Sequence, residues 1–173
     1  MASEGPNSPG TVVNDASSGD VAWVNPGNAT ASDNAYATVT LSYQTTQFLQ
    51  ATDFGFSIPA EATINGIVCE FEHKNTIGDL LLGTYIIKGG ARVSASYADV
   101  QSALSEAYQS VGSPVDLWDT TWTAAEINAS DFGIALFNND PKTGVYSVDH
   151  VRITVYYTEA SVPFRRSLLG VGF

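Results

Sequence analysis

The chain has a single cysteine, Cys69, among its 173 residues. An internal disulfide is therefore excluded, and so are zinc sites built from several cysteines. Histidine is almost as scarce, with only His73 and His150. Basic residues number seven against eighteen acidic ones, and the formal net charge is −11. A nucleic-acid-binding domain needs a basic face, so this balance argues against that partner. It argues equally against docking on an anionic membrane surface. Only 14% of residues are charged, against about 25% in an ordinary soluble domain. Ser, Thr, Asn, Gly and Tyr must cover much of the surface. That suits β-structure, and it suits contact with other subunits, because interface cores are depleted of charge.

Long apolar runs are missing too. No stretch of about 18 apolar residues occurs, so no membrane-spanning helix is expected. The opening segment, MASEGPNSPGTVVND, has neither a basic stretch nor an apolar one. It is not expected to act as a secretory signal, which implies synthesis in the cytosol.

Catalytic motifs are absent as well. Asp-Phe-Gly occurs twice, at Asp53-Phe54-Gly55 and Asp131-Phe132-Gly133. In a protein kinase the aspartate of this tripeptide holds magnesium, but no glycine-rich phosphate loop, HRD loop or β3 lysine accompanies it. There is no G-x-S-x-G elbow. His73 lies on an inward strand parity. Asp149 and His150 are neighbours, so in a regular strand their side chains point to opposite faces and form no dyad. Asp15, Asp20, Asp33, Asp116, Asp119 and Asp140 fall mostly in loops. Loop carboxylates suit calcium, but no EF-hand spacing occurs, so no metal ligand, cofactor or catalytic residue is assigned. Trp23, Trp118 and Trp122 suggest either a sugar-stacking platform or aromatic anchors of a core, and the core role is preferred. Asn28-Ala29-Thr30 and Asn128-Ala129-Ser130 match glycosylation acceptors, with no signal peptide to support that use.

Alternation, by contrast, is abundant. Ala35, Ala37, Val39, Leu41 and Tyr43 interleave with polar residues at period 2, the mark of a half-buried strand. Ile67, Cys69, Phe71 and His73 form one face of a second strand, and Cys69 is a small core residue rather than a nucleophile. Residues 80–88, LLLGTYIIK, read as a strand buried on both faces. Val151, Ile153, Val155 and Tyr157 point inward in a further strand. Tyr146 and Val148 have the opposite parity, so the phase slips near Asp149-His150 and a bulge is expected there. Thr123 followed by Glu126 fits a capping box and predicts one short helix near 123–128. A weaker helical pattern spans 96–109, with loop plus strand as its alternative.

Each Asp-Phe-Gly stands before an apolar face: Phe54, Phe56 and Ile58 in one case, and Phe132, Ile134 and Leu136 in the other. Both are read as strand entrances. The polar residue ties the turn, the phenylalanine points inward, and the glycine clears the opposite face for a close neighbour. Strands in comparable positions, pairing or facing each other, would explain the repeat.

Four segments, VAWVNPGNATASDNAYATVTL, TDFGFSIPAEATINGIVCEFE, LWDTTWTAAEINASDFGIALF and VDHVRITVYY, together resemble a β-sandwich domain of tailed-phage virion proteins. That domain is a jelly-roll module used in capsid decoration (cement) proteins and in tail or fibre components. The resemblance covers residues 20–158 and carries no active-site residues with it. It implies an all-β, antiparallel sandwich of jelly-roll type over 21–158, in a virion protein that binds rather than catalyses. The expected partners are the major capsid protein or other virion proteins and further copies of the chain, as a homotrimer, with neither nucleic acid nor membrane among them. A tail or fibre module that binds a host receptor or carbohydrate is the alternative. Outside the resemblance, residues 1–20 are expected to form a flexible or extended arm. Residues 159–173 are expected to form a tail whose Phe164, Arg165, Arg166, Leu168, Leu169 and Phe173 contact a partner.

Overall fold

The computed structural model describes residues 1–161, apart from 77, 79, 103 and 139–141. Among the described residues there are ten strands: β1 (Ala2–Asn7), β2 (Thr11–Asp15), β3 (Ala37–Ser42), β4 (Phe48–Thr52), β5 (Thr63–Asn75), β6 (Leu80–Lys88), β7 (Ala91–Ser102), β8 (Ala107–Ser113), β9 (Gly133–Asn138) and β10 (Thr143–Thr158). They build two antiparallel sheets that pack face to face. The first runs β1-β10-β5-β8, with β3 also on β10, and the second runs β2-β4-β9-β6-β7. Without β1 and β2, the orders 3-10-5-8 and 4-9-6-7 are those of a jelly roll, two Greek keys wrapped into a sandwich.

β10 is long enough to serve two neighbours on one edge. Thr143–Val148 pairs with β3, and Ile153–Tyr157 pairs with β1. β5 runs along its other edge, and the register slips between Val148↔His73 and His150↔Glu72. Asp149 is the extra residue, so the bulge lies where the sequence phase changes. Tyr146 and Val148 point inward before it, and Val151, Ile153, Val155 and Tyr157 after it; all are buried.

The N-terminal residues are not a free arm. β1 pairs with β10, and β2 pairs with β4 from Thr11↔Thr52 to Asp15↔Phe48. Both are edge strands, β1 of polar sequence containing Gly5 and Pro6 and β2 a short run of five residues. They carry little hydrophobic alternation of their own and owe their form to the ladder beside them. The helical pattern over 96–109 is likewise overridden. Residues 91–102 and 107–113 are strands, paired with β6 and β5 respectively. The expected short helix is present as α1 (Ala124–Ile127). The Thr123 hydroxyl accepts from the Glu126 backbone, and the Glu126 carboxylate accepts from the Thr123 N–H.

The two Asp-Phe-Gly segments come together through the β4–β9 ladder, in which Thr52 opposes Gly133. The Asp53 N–H donates to the Ser130 carbonyl at 2.9 Å. Phe54, Phe56 and Phe132 are buried as one aromatic cluster, with the Phe56 and Phe132 centroids 5.9 Å apart. Only one of the two tripeptides is a strand entrance, contrary to the expectation for both. Asp131-Phe132-Gly133 opens β9, but Asp53-Phe54-Gly55 leaves β4, turning at Asp53 and Gly55 through φ of 61° and 66°. The glycines therefore differ in purpose. A Cβ on Gly133 would lie 2.0 Å from the Ala51 carbonyl oxygen, whereas one on Gly55 would meet open space. Gly133 permits close strand approach, and Gly55 permits the turn.

Candidate functional site

The outer face of the first sheet concentrates the ionisable groups. The outward residues of β5 are Glu70, Glu72 and Lys74, because Cys69, Phe71 and His73 take the inward parity and are buried. β8 adds Tyr108, which lies opposite Glu72. β10 adds Arg152, His150 and the bulged Asp149. The segment around Ser32–Tyr36 and the β1–β2 connection cover this face from either side.

Arg152 makes a two-pronged ion pair with Glu70, both contacts at 2.9 Å, and its guanidinium lies 3.7 Å from the Tyr108 ring centroid. Tyr108 and Ser8 engage the two nitrogens of His150, with Tyr108 Oη 2.8 Å from Nδ1 and Ser8 Oγ 2.9 Å from Nε2. Burial lowers the pKa of His150, and the neighbouring Arg152 charge adds to this, so the ring is held in its neutral form. The Ser8–His150 contact has the reach of a nucleophile and its base. However, a phenol occupies Nδ1, so the carboxylate that orients the base of a catalytic triad has no counterpart at that atom.

A second knot adjoins the first. The Tyr36 hydroxyl donates to Glu106 Oε2 at 2.8 Å, and Lys74 reaches the same oxygen at 3.2 Å. Glu72, Glu106 and Asp149 converge, with one carboxylate oxygen from each within 4.8 Å of the others. Asp149 is only 2% exposed, and its Oδ2 accepts from the Asn34 N–H at 3.1 Å. Burial raises its pKa above the usual carboxylate value, and the charges of Glu106 and Glu72 add to the rise.

The opposite-face reading of Asp149 and His150 is therefore corrected. The bulge puts both beside Glu72 on the outer side, because an extra residue in one strand suspends the alternation that separates neighbours. Nothing in the linear spacing of Glu72, Glu106 and Asp149 announces their convergence. It needs the β5–β8 and β5–β10 registers together.

His73 is 1% exposed on the inner side and makes a 2.6 Å hydrogen bond with Tyr146 through Nδ1. Cys69 is fully buried, which pushes its thiol well above the normal range, in keeping with a core residue. All three tryptophans are buried, and each indole N–H donates to a backbone carbonyl: Trp23 to Gln47, Trp118 to Ile67 and Trp122 to Leu117. A sugar platform made by Trp118 or Trp122 is thereby overturned.

Asp15 ends β2, and it, Asp20 and Asp33 are each engaged within the chain. Asp15 pairs with Arg92, Asp20 accepts from Thr45, and Asp33 accepts from Ala35. Both acceptor-motif asparagines serve as loop ties. Asn28 donates to the Tyr36 carbonyl, and Asn128 bonds the N–H and C=O of Ile58. Asp140 and the tail residues Phe164, Arg165, Arg166, Leu168, Leu169 and Phe173 lie outside the described residues.

On the outer face of the second sheet, Phe48, Ile87 and Ala135 form a small buried cluster flanked by half-buried Tyr85 and Phe137. Those two rings stack at 5.4 Å, and the Arg92 guanidinium covers Phe48 at 3.9 Å. Gly83 makes room for Phe137, since a Cβ there would lie 2.3 Å from the ring.

No family model matches the sequence, and no curated protein does. A solved structure described as "BiXyn10A CBM1 APO" is similar at 7% identity and a TM-score of 0.46, over 86% of this chain and 99% of that one.

Proposed function

We propose that the chain is a structural protein of a tailed-phage virion, one that decorates and reinforces the capsid by binding its shell. The observation that carries this reading is that the four virion-like sequence segments supply residues to four of the eight jelly-roll strands, β3, β5, β9 and β10. VAWVNPGNATASDNAYATVTL supplies most of β3, and TDFGFSIPAEATINGIVCEFE supplies most of β5. LWDTTWTAAEINASDFGIALF supplies α1 and most of β9, and VDHVRITVYY supplies the second half of β10. Jelly rolls serve as capsid domains among other uses, and a fold alone names no function. The low charge fraction supports a role in subunit contact.

In this reading the protein works as a homotrimer. Its C-terminal residues, Phe164, Arg165, Arg166, Leu168, Leu169 and Phe173, are laid against neighbouring shell proteins. The apolar residues remove surface from water, and the two arginines pair with carboxylates on an acidic partner. A chain truncated after Ser161 tests the assignment. It should keep the wild-type melting temperature and lose co-sedimentation with capsids that lack the protein. Undiminished co-sedimentation of the truncated chain would refute the tail's role.

One observation favours a second reading, a receptor- or carbohydrate-binding module of a tail or fibre. The stacked Tyr85–Phe137 pair on the outer face of the second sheet is half-buried and offers a ring surface for a sugar. That reading expects glycan-array hits that disappear with Tyr85→Ala.

A further inference from the structure

We propose that Glu72, Glu106 and Asp149 form a binding site for a hard divalent cation, with Ca²⁺ as the ion their chemistry suits. Two independent observations meet here. The first is convergence, with carboxylate oxygens from β5, from the β10 bulge and from the residue preceding β8 all within 4.8 Å of one another. The second is that each of these side chains has a buried oxygen with no hydrogen-bond partner: Glu72 Oε2, Glu106 Oε1 and Asp149 Oδ1. Asp149 is nearly inaccessible at 2% exposure. Buried carboxylate oxygens left without a partner are unfavourable, and an oxygen-seeking cation satisfies all three together.

The local positive charge does not answer the need. Lys74 meets Glu106 at the oxygen it shares with Tyr36, which is not the orphaned one. Arg152 is held in its two-pronged pair with Glu70. Three carboxylates therefore face one ammonium group. Ca²⁺ takes oxygen ligands at about 2.3–2.6 Å, so ligands around one ion lie up to about 5 Å apart, as these do. The donor set holds only oxygen, and both nitrogens of nearby His150 are engaged, which disfavours zinc and copper. The bulge acquires a purpose on this account. It sets Asp149 and His150 together against Glu72 on the outer face, and an ion held by Glu72, Glu106 and Asp149 would brace β10, β5 and the β7–β8 connection. Asn34, bonded to the other oxygen of Asp149, ties in the covering loop.

The rival explanation is a proton shared among the carboxyl groups. Terbium, which takes calcium-type oxygen sites, separates the two. The full chain is stripped with chelator and titrated with TbCl₃ under aromatic excitation, with Tyr36 Oη only 2.8 Å from Glu106 as a close sensitiser. Saturable emission, displaced by CaCl₂, is expected. The melting temperature should rise by about 5–10 °C at a hundredfold excess of Ca²⁺ over its Kd. Both effects should vanish in Asp149→Asn and Glu106→Gln. Glu106 is half-buried and precedes β8, so its variant decides the matter if Asp149→Asn does not fold. No saturable emission and no shift beyond that of NaCl at equal ionic strength would overturn the proposal. So would undiminished Tb³⁺ binding by Glu106→Gln. A Glu106→Gln chain that is more stable than a wild type unresponsive to Ca²⁺ would favour the shared proton and overturn it as well.

Discussion

His73 makes the fold sensitive to mild acid, and the size of the effect follows from its surroundings. The ring lies inside the sandwich at 1% exposure, bonded to Tyr146, and Nε2 has no partner. Burial lowers its pKa from 6.5 to about 4. The folded state therefore binds the proton less readily than the unfolded chain. Above pH 6.5 neither state is protonated, and the full stability is present. As pH falls below 6.5 the unfolded chain takes up the proton first, so stability declines, and the decline is complete once pH passes below about 4. Linkage between those pKa values gives a loss of about 2 kcal/mol between pH 7.5 and pH 5 from this group alone. Urea unfolding followed by tryptophan fluorescence measures it. His73→Phe keeps an aromatic ring but cannot titrate, so its stability should change between the two pH values by about 2 kcal/mol less than that of the wild type. His150 also has a lowered pKa and contributes to both chains, so the difference between them isolates His73. Equal pH dependence in wild type and His73→Phe would refute the reasoning and place the acid sensitivity elsewhere.

Other perturbations test other joints of the structure. Phe132→Ala empties the centre of the aromatic cluster formed with Phe54, Phe56 and Trp122; a loss of about 3–5 kcal/mol is expected by denaturant titration. Gly133→Ala drives a methyl group into the Ala51 carbonyl and should cost at least about 2 kcal/mol. Gly55→Ala meets no atom and should cost less, through its φ of 66° alone. Thr123→Ala removes one half of the capping box and should lower stability by about 1 kcal/mol in the same titration.

Much of the fold can be read from the chain, and the reasons are local. The phase of β10 changes at Asp149 because the bulge is written into the alternation itself, Tyr146 and Val148 before it and Val151 and Ile153 after it. The capping box needs only Thr123 and Glu126, three residues apart. Phe54 and Phe132 are inward because each leads an apolar face. The rest of the structure depends on neighbours. β1 and β2 have no strong pattern of their own and form strands because β10 and β4 offer them a ladder. The direction of the first Asp-Phe-Gly is set by β4 lying before it rather than after. The carboxylate cluster unites residues 72, 106 and 149, which only the sheet registers bring together. The bulge held the one usable clue, since an expected break in alternation also cancels the rule that sends Asp149 and His150 to opposite faces.

The virion assignment is tested most directly by counting. Particles purified from cells that carry the gene, analysed by quantitative mass spectrometry against the major capsid protein, give the number of copies per particle, and cryo-electron microscopy gives their position. The decoration reading predicts many copies spread over the head in trimers. A few copies confined to a single vertex or to tail fibres would contradict it and favour the receptor-binding module.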